Sequence, residues 1–404
     1  MKSNESRPAA DPRVVTAACG LVWLVASASL IAASGVYPAL LAEWRIDPEF
    51  VGVWGSATLA GMLAGGILGG LLADRSGRRP VLTGSALLMG LTIPAQVFLT
   101  SPWAFTAGRF VAGLVMAGAI PAAAALVSEV APAELRGRLT WILEGFWTAG
   151  SVVGALLALG LIPAAGWQAV FLAFLPAALY ALPLLRIVPE SPRFRQLSRA
   201  DRPSIARLWA GPFRRRTLFI WVLWLVMLSA YYGIYAWLPT LLVGQGLSLE
   251  SSLTDLVWVS LAQLPGAVAA GWLADTLGRR PTLTLFLLGC AAACVGLAFA
   301  PGGAAVVFLA GLLGFTNIGA WVLVYIYTPE LYPTALRATG VGTAGTVGRV
   351  GAIAAPYLLG LLSKSSGFGA AFLGFGALIL AGALATAVLA EETRGKTLEQ
   401  ISGG

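Results

Sequence analysis

Gly70-Leu-Leu-Ala-Asp74-Arg-Ser-Gly77-Arg78-Arg79-Pro80 returns 201 positions later as Gly271-Trp-Leu-Ala-Asp275-Thr-Leu-Gly278-Arg279-Arg280-Pro281. The same offset carries Glu129-Val-Ala-Pro132-Ala-Glu-Leu-Arg136 onto Glu330-Leu-Tyr-Pro333-Thr-Ala-Leu-Arg337, Pro38 onto Pro239, and Glu190 and Arg193 onto Glu391 and Arg394. Four landmarks at one offset read as a duplicated chain. Each charged loop is flanked by long apolar runs, so the repeated unit is a set of helices joined by short polar turns.

Composition says what surrounds those helices. Of 404 residues, 58% are hydrophobic and 11% charged, whereas soluble domains carry about 25% charged residues. Apolar stretches of about 20 residues recur along the chain, each long enough to cross about 30 Å of hydrocarbon. Lipid offers backbone amides no partner, which requires helices, and the runs are continuous rather than alternating, which excludes a membrane barrel. Twelve spans are expected at 14–42, 50–73, 80–99, 103–128, 138–161, 167–186, 217–244, 250–274, 281–300, 304–328, 337–362 and 368–390. The apolar run after the polar Met1–Arg13 continues to about Leu41 with no clear small-residue cleavage site, and reads as the first span rather than a removed signal peptide. The expected fold is an all-α membrane protein of two pseudo-symmetric six-helix bundles, 14–186 and 217–390. A tail at 1–13, a linker at 187–216 with a short surface helix near Ser204 to Trp209, and a tail at 391–404 complete it.

The net charge of +8 expresses topology and not nucleic-acid binding. Of 26 Lys and Arg, 22 fall on the side that holds both termini; Arg45 and Lys364 lie on the other, and Arg109 and Arg349 inside spans. That asymmetry sets the termini in the cytoplasm. Low Lys with high Ala and Gly points to a bacterial cytoplasmic (inner) membrane, with lipid as solvent and a monomer as the expected state. Cys19, Cys290 and Cys294 lie in apolar runs without metal-ligand spacing. No cofactor signature, nucleotide loop or nucleophile triad is present, so the chain is not read as an enzyme and its energy comes from a gradient. It has no histidine, which leaves proton coupling to carboxylates.

The repeated loops join carboxylates to guanidinium groups at helix ends. Asp74 and Asp275 are suited to accept hydrogen bonds at a helix N-terminus and to pair with Arg75, Arg78, Arg79, Arg279 or Arg280. Glu129 with Arg136, Glu330 with Arg337, and Glu190 extend a cluster able to latch neighbouring helices in one state and release them in another. The glycines at 61, 65, 66, 69 and 70 follow small-residue spacing and read as close helix packing.

At these landmarks the chain resembles the major facilitator superfamily, whose most specific signature is the Gly-x-x-x-Asp-x-x-Gly-Arg-Arg loop. Pro189-Glu190-Ser191-Pro192-Arg193-Phe194, Glu330–Arg337 and Glu392-Thr-Arg-Gly-Lys396 are similar to the sugar-porter and organic-ion branches. The resemblance covers nearly the whole chain and implies secondary transport by alternating access.

Residues that break the repeat are the better substrate candidates. Arg109, Glu144 and Arg349 are ionisable within spans, and their counterparts are Ala310, Gly345 and Thr148. A charge in a span costs about 2.5–3.5 kcal/mol on insertion scales and is usually retained for function. The resemblance places Glu144 where sugar porters carry a substrate-binding glutamine; as an acid it is the candidate proton carrier. It places Arg349 where organic-anion transporters and aromatic-acid symporters carry arginine, suited to hold a carboxylate with two parallel bonds. Arg109 matches an arginine often paired with a helix-one acid, here replaced by Ser29. Trp141, Phe146 and Trp147, then Tyr231, Tyr232, Tyr235 and Trp237, then Trp321, Tyr325 and Tyr327 supply aromatic lining, with Gln263 and Asn317 as amides. The leading function is proton-coupled symport of a small organic anion such as nicotinate. Alternatives are an organic cation or drug transporter or efflux pump, a sugar facilitator, and a membrane sensor or scaffold that does not transport.

Overall fold

The computed structural model describes residues 11–132, 135–190, 205–211, 213–300 and 303–395. Within them lie twelve helical segments long and apolar enough to cross a membrane, with ends within four residues of those expected. Their order is α1 (Pro12–Trp44), α2 (Glu49–Ser76), α3 (Arg78–Thr92) with a 3-10 turn at Pro94–Phe98, α4 (Pro102–Val130) and α5 (Arg136–Ala165). The sixth span is broken into α6 (Trp167–Leu172) and α7 (Pro176–Ile187). The second series is α8 (Phe213–Gly244), α9 (Leu249–Thr276), α10 (Arg279–Phe299), α11 (Ala304–Glu330) and α12 (Thr334–Leu389), whose two arms meet at Gly367. No strand occurs among the described residues. The chain is a multi-pass all-α membrane protein.

Two compact units emerge. One comprises Met1–Ala33 and Ala60–Ala200, the other Ser34–Leu59 and Asp201–Gly404. The turns of α1 and α2 next to the loop that joins them thus cluster with the second series of helices. Half of the linker, Arg193 included, lies outside the described residues. Its end is a 3-10 turn, Ile205–Trp209, where a short surface helix was expected. The turn is pinned to α8: Thr217 donates to the Leu208 carbonyl at 3.0 Å, and Trp209 packs edge-on to Trp221.

Inside each unit the duplication is visible as paired backbone contacts. A Cβ on Gly65 of α2 would lie 1.9 Å from the Leu114 carbonyl oxygen of α4; a Cβ on Gly266 of α9 would lie 2.3 Å from that of Phe315 on α11. A Cβ on Gly150 of α5 would lie 2.4 Å from the Leu24 carbonyl oxygen of α1, and one on Gly351 of α12 2.9 Å from that of Leu225 in α8. Each pair is related by the sequence offset. Lipid tails are as apolar as leucine, so helices associate through close van der Waals contact, and the missing side chain permits it.

Gly65→Val is therefore expected to lower folded yield and melting temperature in detergent, by the 1–3 kcal/mol typical of forced overpacking. Gly70→Ala, where an added Cβ meets nothing within 4 Å, is expected to be neutral in the same thermal assay.

Candidate functional site

The charged loops work by carboxylates reaching in from elsewhere. α3 follows Gly77 and α10 follows Gly278, and neither has a side-chain cap of its own. Glu190, just past α7, accepts from the backbone N–H of Arg78 at 2.9 Å and of Arg79 at 3.5 Å. Glu392, just past α12, accepts from the N–H of Arg279 at 3.0 Å and of Arg280 at 3.1 Å. A carboxylate at a helix N-terminus meets orphan donors and the positive end of the dipole. Gly77 and Gly278 have φ of 99° and 108°, and a Cβ on either would stand 2.5 Å from the capping carboxylate. Glycine is demanded twice by one geometry.

Ion pairs brace the caps. Arg78 meets Glu129 at 2.9 Å, both side chains 9% exposed, and Arg279 meets Glu330 at 3.3 Å. Arg79 donates to the Leu185 carbonyl and Arg280 to that of Ala387. Thr393 donates to Glu330 at 2.5 Å. Several expectations are corrected here. The helix-capping role assigned to Asp275 belongs to Glu392; Asp275, in the last turn of α9, is 79% exposed and pairs with Arg279, the first residue of α10, at 3.2 Å. Arg337 donates to the Pro329 carbonyl at 3.0 Å and not to Glu330. The counterpart of Glu190 is Glu392 rather than Glu391, because the last span of the second series is one residue longer and lacks the break at 173–175. Glu391 instead takes a two-pronged bond from Arg216, at 2.9 and 2.7 Å. Arg75 is exposed, and the side chains of Asp74 and Arg136 lie outside those described. Glu392 and Thr393 stood in the sequence as part of a family-like run, with nothing local to mark them as the cap of α10.

In the second unit an aromatic wall forms. Tyr231 and Tyr235, one turn apart on α8, lie 4.8 Å centroid to centroid; Tyr231 and Tyr232 meet Trp321 of α11 at 5.1 and 6.1 Å, and Trp321 stacks on Tyr325 at 5.4 Å. Gly314 leaves room for the Tyr235 hydroxyl and for Val259 of α9. Gln263 is one turn from Val259 and one from Gly266, both of which meet α11, so it too faces α11. Gln263 and Asn317 are fully buried. Both amide atoms of Gln263, Oδ1 of Asn317 and the Tyr235 hydroxyl make no hydrogen bond among the described residues. Asn317 Nδ2 has only Cys290 Sγ at 3.7 Å. Asp255, two turns along α9 from Gln263, is likewise buried with Oδ2 unbonded among the described residues; it lies within the span expected at 250–274 but was not among the candidate residues. Arg349 of α12 is half-buried and makes no hydrogen bond or ion pair to a described residue. Two expected lining residues serve packing instead: Trp237 donates to the Pro356 carbonyl, and Tyr327 bonds the Glu391 backbone.

In the first unit Arg109 is fully buried on α4. Ser29, in the place of the helix-one acid, donates to the Ala26 carbonyl and to Met116 Sδ. Glu144 of α5 is half-buried and makes no hydrogen bond or ion pair to a described residue. Trp147 packs edge-on to Trp23 and Phe146 against Gly20, both as scaffold, while Trp141 is 54% exposed.

Comparison with known proteins agrees with this architecture. The chain matches the profile of the Major Facilitator Superfamily over residues 19–355 and 256–403. It is 37% identical to the putative niacin/nicotinamide transporter NiaP of Bacillus subtilis, covering 96% of this chain and 98% of that one. It is 35% identical to the niacin transporter NiaP of Acinetobacter baylyi, covering 95% and 94%. The crystal structure of a D-xylose–proton symporter superposes with a TM-score of 0.79 at 21% identity, covering 95% and 99% of the two chains.

Partial burial works to raise the Glu392 pKa, but four backbone N–H groups, of Arg394, Arg279, Arg280 and Thr393, outweigh it and hold the carboxyl below the ordinary glutamate range. A depressed folded-state value means the cap contributes fully above the unfolded value and is lost only as pH falls through the folded one. Transport by the wild type should therefore show no inflection from this cap between pH 5 and pH 8, a range above the usual glutamate pKa of about 4.3. Glu392→Gln and Glu190→Gln should each slow turnover in vesicles with abundance near normal; unchanged turnover in both would remove the latch role.

Proposed function

The chain belongs to the major facilitator superfamily, and from that premise we propose that it carries a small organic acid, an aromatic carboxylate of the nicotinate kind, by alternating access together with a proton. The observation that carries the reading is Arg349, a guanidinium within a span that no described residue pairs. An unpaired charge there is costly, and a ligand carboxylate satisfies it through two parallel hydrogen bonds. The names of the two niacin-transporting relatives support the same class.

The rest of the site follows from chemistry. A flat aromatic ring stacks on the wall of Tyr231, Tyr232, Tyr235 and Trp321. The unbonded Gln263 Nε2 and Tyr235 hydroxyl donate to ring nitrogen or carboxylate oxygen; an unmet buried polar group costs about 1–3 kcal/mol, so a bound ligand recovers what the empty site forgoes. Glu144, in the first unit, takes the proton. The proposed setting is the bacterial inner membrane, with both termini cytoplasmic as the basic loops require, and the working unit is a monomer.

Purified protein in liposomes with an imposed pH gradient should accumulate nicotinate or benzoate in preference to matched amines or pentoses. Arg349→Lys keeps the charge and loses the fork, and should raise KM for the acid at least about tenfold. Retained affinity would remove Arg349 from the site, and preferred uptake of amine or sugar would replace the substrate class. Glu144→Gln should abolish pH-driven accumulation while leaving exchange of acid for acid; intact accumulation would move the coupling elsewhere.

A further inference from the structure

α2 and the first arm of α12 run side by side, and their contact is made largely of backbone. A Cβ on Gly52 would stand 2.6 Å from the Pro356 carbonyl oxygen, and one on Gly55 3.1 Å from the Pro356 ring. Ser56 donates to the Ile353 carbonyl at 2.6 Å. Trp237 fixes the same proline from α8, donating to its carbonyl at 2.8 Å. Residues 49, 52 and 56 of α2 thus face 364, 356 and 353 of α12 in antiparallel order, a seam about two turns long within one compact unit. In the orientation proposed above it lies toward the outside.

The last fastening of this seam is of a different kind. Glu49, the first residue of α2, pairs with Lys364, and the two side chains are 35% and 65% exposed. Deeper in, the seam is glycine, proline and backbone carbonyl; here it is ionic and open to water. Asp47 adds a second acid to the field of the same ammonium. An exposed ion pair contributes little stability and is readily exchanged. Lys364 is also one of only two cations, with Arg45, on the side that the charge asymmetry turns outward. An anion arriving there meets an ammonium already occupied by a carboxylate.

We infer that the incoming carboxylate replaces Glu49 on Lys364 and thereby unfastens the outer end of the seam. One carboxylate exchanges for another on the same ammonium, so no charge is left uncompensated and Glu49 passes into water. The inference rests on the anion reading. It makes Lys364 a residue that selects acids over their neutral counterparts before the substrate reaches Arg349.

The test compares KM for nicotinate and for nicotinamide in proteoliposomes of wild type, Glu49→Gln and Lys364→Gln. Both variants break the pair, so any change in seam stability moves them the same way and affects both substrates. The exchange adds an opposite effect on the acid alone. Glu49→Gln removes the competitor and should lower the acid-to-amide KM ratio about two- to fivefold, the range an exposed ion pair supports; Lys364→Gln should raise it by a similar factor. Should the amide not be carried, opposite movement of the acid KM in the two variants decides. Parallel shifts, or none, overturn the exchange and leave a purely mechanical fastening. A wild type that carries no organic acid overturns the anion reading and this inference together, whereas acid uptake that depends on Arg349 with unseparated variants overturns this inference alone.

Discussion

Hydrocarbon offers a backbone amide nothing to bond with, and this structure is arranged around that constraint. Every span closes its own hydrogen bonds as a helix. With no water to expel between them, helices are held by contact rather than by hydrophobic drive. The backbone seats at Gly65, Gly150, Gly266 and Gly351 supply that contact. Polar chemistry is then confined to helix ends, where donors and acceptors are unmet, and to the few interior positions where a ligand can meet them.

Duplication separates the two kinds. The helix crossings, the glycine turns at Gly77 and Gly278, and the capping carboxylates Glu190 and Glu392 occur in both units with matching geometry. Features shared in this way are framework. Arg349, Glu144 and Asp255 occupy positions whose counterparts are Thr148, Gly345 and Trp54, and the tyrosine and tryptophan wall with its unbonded amides belongs to the second unit alone. A symmetric scaffold with an asymmetric interior suits a family in which one architecture serves many cargoes.

The membrane assignment, the twelve spans and the family were legible in the chain because each rests on local composition or on a motif contiguous in sequence. Span ends were found closely for the same reason: hydrophobic length is a local property. The capped loops were half legible. Their arginines and glycines announced themselves by repetition, but the acid that caps each helix comes from more than a hundred residues away, and the extra residue in the last span hid the match between Glu190 and Glu392. Tyr327 and Trp237 read as lining and prove to be braces, since an aromatic residue in a span looks the same whether its polar atom meets a ligand or a backbone carbonyl.

The sequence by itself determined that this chain crosses the membrane as two related sets of six helices, because a solvent without hydrogen bonds leaves an apolar run of that length one conformation. Tertiary structure alone decided which carboxylate caps which helix, that the turns of α1 and α2 next to their joining loop cluster with the second unit, and which buried polar atoms stay unbonded. Those outcomes depend on which side chains distant in sequence come within about 3 Å of one another, the reach of a hydrogen bond, and no local pattern encodes that distance.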